Sequence, residues 1–206
     1  MMKLLVLVFA ALSAFGVCQM DVMGMMRKMK SAPVMLIQMP DVKKELKLNG
    51  DQNKKIGAIQ KEFQETTKKA QSGGMAAMSA LPAETDKASQ AVLEVLDADQ
   101  VVRVHQIQYQ MWGAASLYEP DVQTALQLTP EQVAKITEWQ EGETSRMMEL
   151  VQGQRGGNDT KKKMDKMRET DTKTLMAILT PEQAAKLKEL QGPPSNAAKK
   201  LSKIGF

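Results

Sequence analysis

Pro40-Asp41-Val42 is followed by Leu46, Leu48, Gln52, Ile56 and Gln60, and the same order returns 80 positions later. There Pro120-Asp121-Val122 leads to Leu126, Leu128, Gln132, Ile136 and Gln140. A second set, Leu96, Gln100, Val104, Ile107 and Gln108, returns 83 positions later as Leu179, Gln183, Leu187, Leu190 and Gln191. Two sets repeating in one order limit the chain to two similar halves, at residues 40–112 and 120–191. Whatever one half forms, the other must be able to form as well.

Within each half the reading is helical. Ile56, Ile59 and Phe63 recur at helical spacing, as do Val101, Val104, Ile107 and Met111, and then Val133 and Ile136, with Met147 and Val151 further on. Strict two-residue alternation is absent, so strands are not expected. Aromatic residues are only 4% of the chain, whereas Met occurs 17 times. That mixture suits helices packed through flexible side chains better than sheets of aromatic and β-branched residues. Gln71-Ser72-Gly73-Gly74, extending to Leu81-Pro82, breaks the first half, and Gln154-Arg155-Gly156-Gly157-Asn158 breaks the second. The expected fold is therefore all-α, with two helical-hairpin halves, each closing on a glycine-containing turn. Residues 192–206, after Gly192-Pro193-Pro194, form a basic tail with little to bury and are expected to be flexible.

Each half carries two Leu-x-x-x-Gln segments. In Leu128-Thr129-Pro130-Glu131-Gln132 and Leu179-Thr180-Pro181-Glu182-Gln183, Thr caps a helix and Pro takes the first turn, where its missing N–H costs nothing. Glu then faces the positive end of the dipole, and Gln reaches back to the cap residue to complete a capping box. Leu before the cap can staple to the following turn, at Val133 in one copy and Ala184 in the other. Leu48-Asn49-Gly50-Asp51-Gln52 and Leu96-Asp97-Ala98-Asp99-Gln100 keep the cap, the acid and the Gln while losing Thr-Pro. These residues are scaffold before they are a binding surface.

Residues 1–18 read as a signal peptide: Met1-Met2-Lys3 is a short positive start, and Leu4 to Val17 is an uncharged apolar run too short to span a bilayer comfortably. Cleavage after Gly16 or after Cys18 fits, and the expected location is the periplasm or outside the cell. Cys18 is the only cysteine, so no intramolecular disulfide is available. A lipoprotein anchored through Cys18 is the lesser alternative, because Val17 stands where a small residue is expected. Once processed, the chain is expected to have no membrane span.

Residues 19–39 are rich in methionine. Val22, Met25, Met26 and Met29 fall at helical spacing, with Met23, Met35 and Met39 nearby. A helix packed on the bundle is the plain reading. Met23, Met25, Met26 and Met29 are also candidates for an adaptable surface contacting protein clients, or for thioether ligands of copper(I). His105 is the only histidine and borders an apolar face, which leaves no nucleophile–base pair and no zinc set. The glycine pairs lack the context of a phosphate loop. An enzyme is not expected, and nothing calls for a cofactor. The net charge of +4 is spread among interleaved acids, which argues against nucleic acid as a partner. Lys161, Lys162, Lys163, Lys166 and Arg168, offset by Asp165, Glu169 and Asp171, read as a solvated helical face.

The repeated Leu-Thr-Pro-Glu-Gln segments, each opening an amphipathic helix behind a signal peptide, resemble those of the LTXXQ-motif family of Spy/CpxP-like periplasmic proteins. The resemblance implies a curved helical cradle formed by two chains, and a chaperone or stress-response role in which unfolded or partly folded proteins are bound without ATP. Four motif positions in one chain, where members usually have two, suggest a pseudo-symmetric Spy-like cradle made by a single duplicated chain. Monomer and homodimer are both compatible with this.

Overall fold

The computed structural model describes residues 22–152 and 158–204, so residues 1–18, with Cys18, lie outside the described residues, as does most of the glycine turn at 154–158. All the described elements are helices, and there is no strand among them. No described helix is long and apolar enough to cross a membrane.

The chain opens with α1 (Val22–Ser31), α2 (Pro33–Leu36) and α3 (Pro40–Leu46). The long α4 (Gly50–Ser72), the short α5 (Gly74–Ser79) and α6 (Leu81–Val95) then fold back on one another, and α7 (Ala98–Trp112) closes the first half. The break at Gly73-Gly74 falls where the glycine pair expects it, and Gly74 takes the left-handed φ of 78°. A 3₁₀ helix (Gly113–Tyr118) leads to α8 (Pro120–Ala125), α9 (Pro130–Glu141), α10 (Glu143–Gln152), α11 (Asn158–Met176), α12 (Pro181–Gln191) and α13 (Asn196–Ile204).

Two apolar cores result. The first gathers Val34, Leu36, Ile37, Val42, Leu46, Ile56, Phe63, Val92, Val104 and Ile107, and the second gathers Leu117, Val122, Leu126, Ile136, Leu175 and Leu187. Segments upstream of Pro40 and Pro120 also play matching parts. Ile37 and Leu117, 80 positions apart, are both fully buried. The α2 segment packs on α6 as the 3₁₀ helix packs on α11.

In the second half the first arm is interrupted at Gly142, where α9 ends and α10 begins, whereas α4 runs unbroken for 23 residues. Arg146 causes the difference by folding back over the Trp139 ring, 4.0 Å from its centroid, and donating to the Trp139 carbonyl at 2.9 Å. A Cβ at Gly142 would lie 2.5 Å from the Arg146 guanidinium.

The expectation of a flexible tail over residues 192–206 is also corrected. Residues 196–204 form α13, which packs on α7 and α3 and sets Ala197 and Ala198 into the first core. A single carboxylate organises the docking. Glu45 accepts from the Ser195 hydroxyl at 2.9 Å and the Asn196 N–H at 3.1 Å, both at the positive end of α13, and from Arg103 at 2.7 Å. Gln110 receives the Ser195 N–H at 2.7 Å. The approach to this helix passes Gly192, whose φ of 64° disfavours any other residue and where an added Cβ would lie 2.2 Å from the end of the Gln106 side chain, forcing it to move. The tail looks free in the sequence because its small Ala-Ala face is a weak signal, and its anchor lies 150 residues upstream.

Candidate functional site

All four Leu-x-x-x-Gln segments form capping boxes. Asn49, Asp97, Thr129 and Thr180 each accept from the backbone N–H of the glutamine three residues on, and that glutamine's oxygen accepts from the cap N–H. The motif leucines pack on the two cores, Leu48 and Leu96 on the first and Leu128 and Leu179 on the second.

The structure adds an arrangement not anticipated from the motifs. The two boxes of each half lie side by side and their glutamines hold each other. Gln52 donates to the Gln100 oxygen at 2.6 Å, and Gln100 donates back at 3.1 Å. Gln132 and Gln183 repeat this at 2.7 and 3.0 Å. Each amide's other hydrogen crosses to the end of the helix preceding the opposite motif. Gln52 reaches the Val95 carbonyl and Gln100 that of Leu46, while Gln132 reaches Ile178 and Gln183 reaches Leu126. Every donor and acceptor of the four amides is used, which fits side chains half-removed from water. A signal is present in the sequence, because Glu serves a capping box as well as Gln does. Only an amide can accept from its own cap and also donate to a partner, and all four positions are Gln.

At the Thr-capped pair, Glu131 and Glu182 have carboxyls held below the usual glutamate range. Their own backbone N–H groups are the main cause, followed by the hydroxyls of Thr129 and Thr180. This is the helix N-terminus acting on an acid placed beside it.

Of the methionine candidates, Met25 is exposed and Met29 is half-buried, one turn apart on α1. Met23 and Met26 lie on the same helix, but their side chains are outside the described set. Met35 and Met148 are exposed as well, so three of the four large exposed apolar side chains among the described residues are methionines, the other being Val102. No group of three His, Cys, Asp or Glu side chains among the described residues is placed to hold a metal ion. His105 is half-buried on α7, stacked along Tyr109, with Nδ1 3.0 Å from the Gln108 oxygen. Lys162, Lys163 and Lys166 are exposed on α11.

Just after Gly142, both oxygens of Glu143 accept from the single Nη2 of Arg27 on α1, each at 2.7 Å, with each side chain largely shielded from water. The Arg27 guanidinium also lies 5.1 Å from the Tyr118 ring centroid. Nearby, Asp171 accepts from the Trp139 indole at 3.1 Å and lies 3.5 Å from Arg146. Burial raises the Asp171 carboxyl, opposed by Arg146 and the indole bond. Between these charged pairs lies a cavity of about 280 Å³, walled in part by Met111, Met147, Met167 and Leu175.

No family model matches the chain, and neither a curated protein nor a solved structure does.

Proposed function

We propose that this chain is an exported, LTXXQ-type helical binding protein, a periplasmic chaperone or envelope-stress component that holds unfolded or partly folded proteins without ATP. The observation that carries the reading is the identity of the large apolar side chains left in water among the described residues: Met25, Met35 and Met148, with Val102. Thioether side chains remould around varied apolar partners with little steric preference, which suits capture of unrelated sequences. The paired capping boxes supply the rigid frame, and in this reading the glutamines shape the protein without touching clients. Two such frames in one chain would form, as a monomer, the pseudo-symmetric cradle that two chains form in the family it resembles. No catalytic step belongs to this role.

The test is suppression of aggregation of a chemically unfolded model protein, without nucleotide. Suppression at near-stoichiometric amounts is expected, and its loss when Met25, Met35 and Met148 are all changed to Ser with the helical signal unchanged. A folded protein that fails to suppress at stoichiometric excess would overturn the reading. Met25 and Met29, one turn apart on α1, favour a competing reading as a copper(I)-binding or sensing protein. Titration against a competing Cu(I) chelator separates the two.

A further inference from the structure

The four capping boxes differ at the residue that follows the cap. It is Pro130 in one, Pro181 in another and Ala98 in a third, whereas the first box of the chain has Gly50. The fold does not require glycine there. Gly50 is not among the glycines with positive φ, and a Cβ added to it would meet nothing within 4 Å. The residue answers to no turn and no close approach. What it does create is Asn49-Gly50, the one Asn-Gly pair in the chain. The other asparagines, Asn53, Asn158 and Asn196, precede Lys54, Asp159 and Ala197.

Such a pair carries both reactants of an intramolecular substitution. The Gly50 backbone nitrogen attacks Cγ of Asn49 and the Cγ–Nδ2 bond breaks. The displaced nitrogen leaves as ammonia, taking the proton that the Gly50 nitrogen gives up. Glycine, without a Cβ, hinders this approach least. Water then opens the five-membered succinimide: cleavage of the N–Cγ bond leaves aspartate, and cleavage on the other side leaves isoaspartate, in which the chain runs through Cγ. Both residues are exposed, and the Gly50 N–H, at the first position of α4, has no acceptor within the helix. The cap stands against the reaction. Asn49 Oδ1 accepts from the Gln52 N–H at 2.9 Å, and a ψ of 174° keeps Cβ and the Gly50 nitrogen staggered about the Cα–C bond. Closing the ring eclipses them, which breaks the capping geometry.

We propose that Asn49 is a self-modification site, which stays an amide while its capping box is closed and converts to aspartate and isoaspartate when the start of α4 opens. The two products differ in effect. Aspartate still caps the helix, as Asp97 does in the neighbouring box. Isoaspartate adds a carbon to the backbone between the cap and Gln52, which unseats the box and with it the Gln52–Gln100 pair. Thr129 and Thr180 have no amide to lose, so the paired boxes of the second half are spared. The site is independent of client capture, because it uses none of the exposed methionines assigned to that role.

The full chain is held in mildly alkaline buffer, folded or in guanidinium chloride, and digested for peptide mass spectrometry that separates amide, aspartate and isoaspartate at residue 49. Asn49 is expected to convert at least about tenfold faster in denaturant than in the folded chain, since local opening gates the reaction. In denaturant it should also convert faster than Asn53, Asn158 or Asn196. Gln52→Ala should raise the rate in the folded chain several-fold. Gly50→Ala should suppress conversion in both states while the thermal melt is retained, because its Cβ has open space. The wild-type comparison decides the matter even if Gln52→Ala does not fold. Equal rates in the folded and unfolded chain, no preference for Asn49 over the other asparagines in denaturant, or full conversion in Gly50→Ala would each overturn the proposal. Hydrogen exchange at the start of α4 should be faster in the isoaspartate fraction and unchanged in Asn49→Asp, and protection kept in the isoaspartate fraction would overturn the effect assigned to it.

Discussion

Lys47 and Gln127, 80 positions apart, are the two non-glycine residues with positive φ among those described, at 51° and 52°. Each makes the left-handed step between a short helix and the leucine of a capping box, so the chain adopts the same uncommon conformation twice with unrelated side chains. A side chain in that region costs roughly 1–2 kcal/mol, and glycine returns most of it while loosening the unfolded chain by roughly 0.5–1 kcal/mol. Lys47→Gly and Gln127→Gly should each raise stability by about 0.5–1 kcal/mol in urea titrations. The glutamines give a sharper test. In a solitary capping box Gln132→Glu would be close to neutral, because a carboxylate also accepts from the cap N–H. Here it would lose the donations to Ile178 and Gln183 and set a negative oxygen against an amide oxygen. A loss of about 2–3 kcal/mol is expected, and a neutral outcome would show that the pair contributes nothing beyond the caps.

Among the elements, α13 departs most from its sequence signal. Its apolar face is Ala197 and Ala198 with the partly buried Leu201, yet Arg103, Glu45, Gln110 and Ser195 fix it by hydrogen bonds. Removing residues 192–206 would uncover apolar surface on α3 and α7 and leave Glu45 and Arg103 short of partners. A cost on the order of 3 kcal/mol follows, with hydrogen-exchange protection lost first in those two helices. If protection is unchanged there, the docking is too weak to matter. Helix starts are legible in the sequence because caps, Pro and acids act within one turn, and the residues of a whole turn stand next to one another in the chain. The break at Gly142 is not, because it depends on Arg146 finding Trp139 when glycine alone is tolerated within helices. The cavity is hidden for a related reason: Met167, Asp171 and Leu175 share one helical face, but the other walls come from residues near 27, 111 and 147 that are far away in the chain. Exposed methionines can be named on α1 from their spacing, but nothing local marks Met35 or Met148 as staying in water.

At the scale of the molecule, the terminal helices among the described residues bridge the two halves, α1 holding the first half as well through Ser31, which accepts from Gln108 and Trp112. The helix before the first half is bonded to the second, through Arg27 to Glu143 and Lys28 to Glu119, and the helix after the second half is bonded to the first. The Arg27–Glu143 pair is shielded on both sides, at 11% and 12% side-chain exposure, so losing one partner strands the other. Arg27→Ala and Glu143→Ala should each cost about 2–4 kcal/mol, while the double variant costs little more than either single one. Additive losses would mean that the two side chains stabilise the fold separately. The Glu45 bracket at the other end has a consequence in time. A ribosome releases residues 40–112 long before residues 195–198, yet those last residues fill the core of the first half. Folding during synthesis, which ordinarily favours the leading portion of a chain, therefore cannot finish it in that order. The half made first is completed last, and until then it exposes the groove that α13 will occupy.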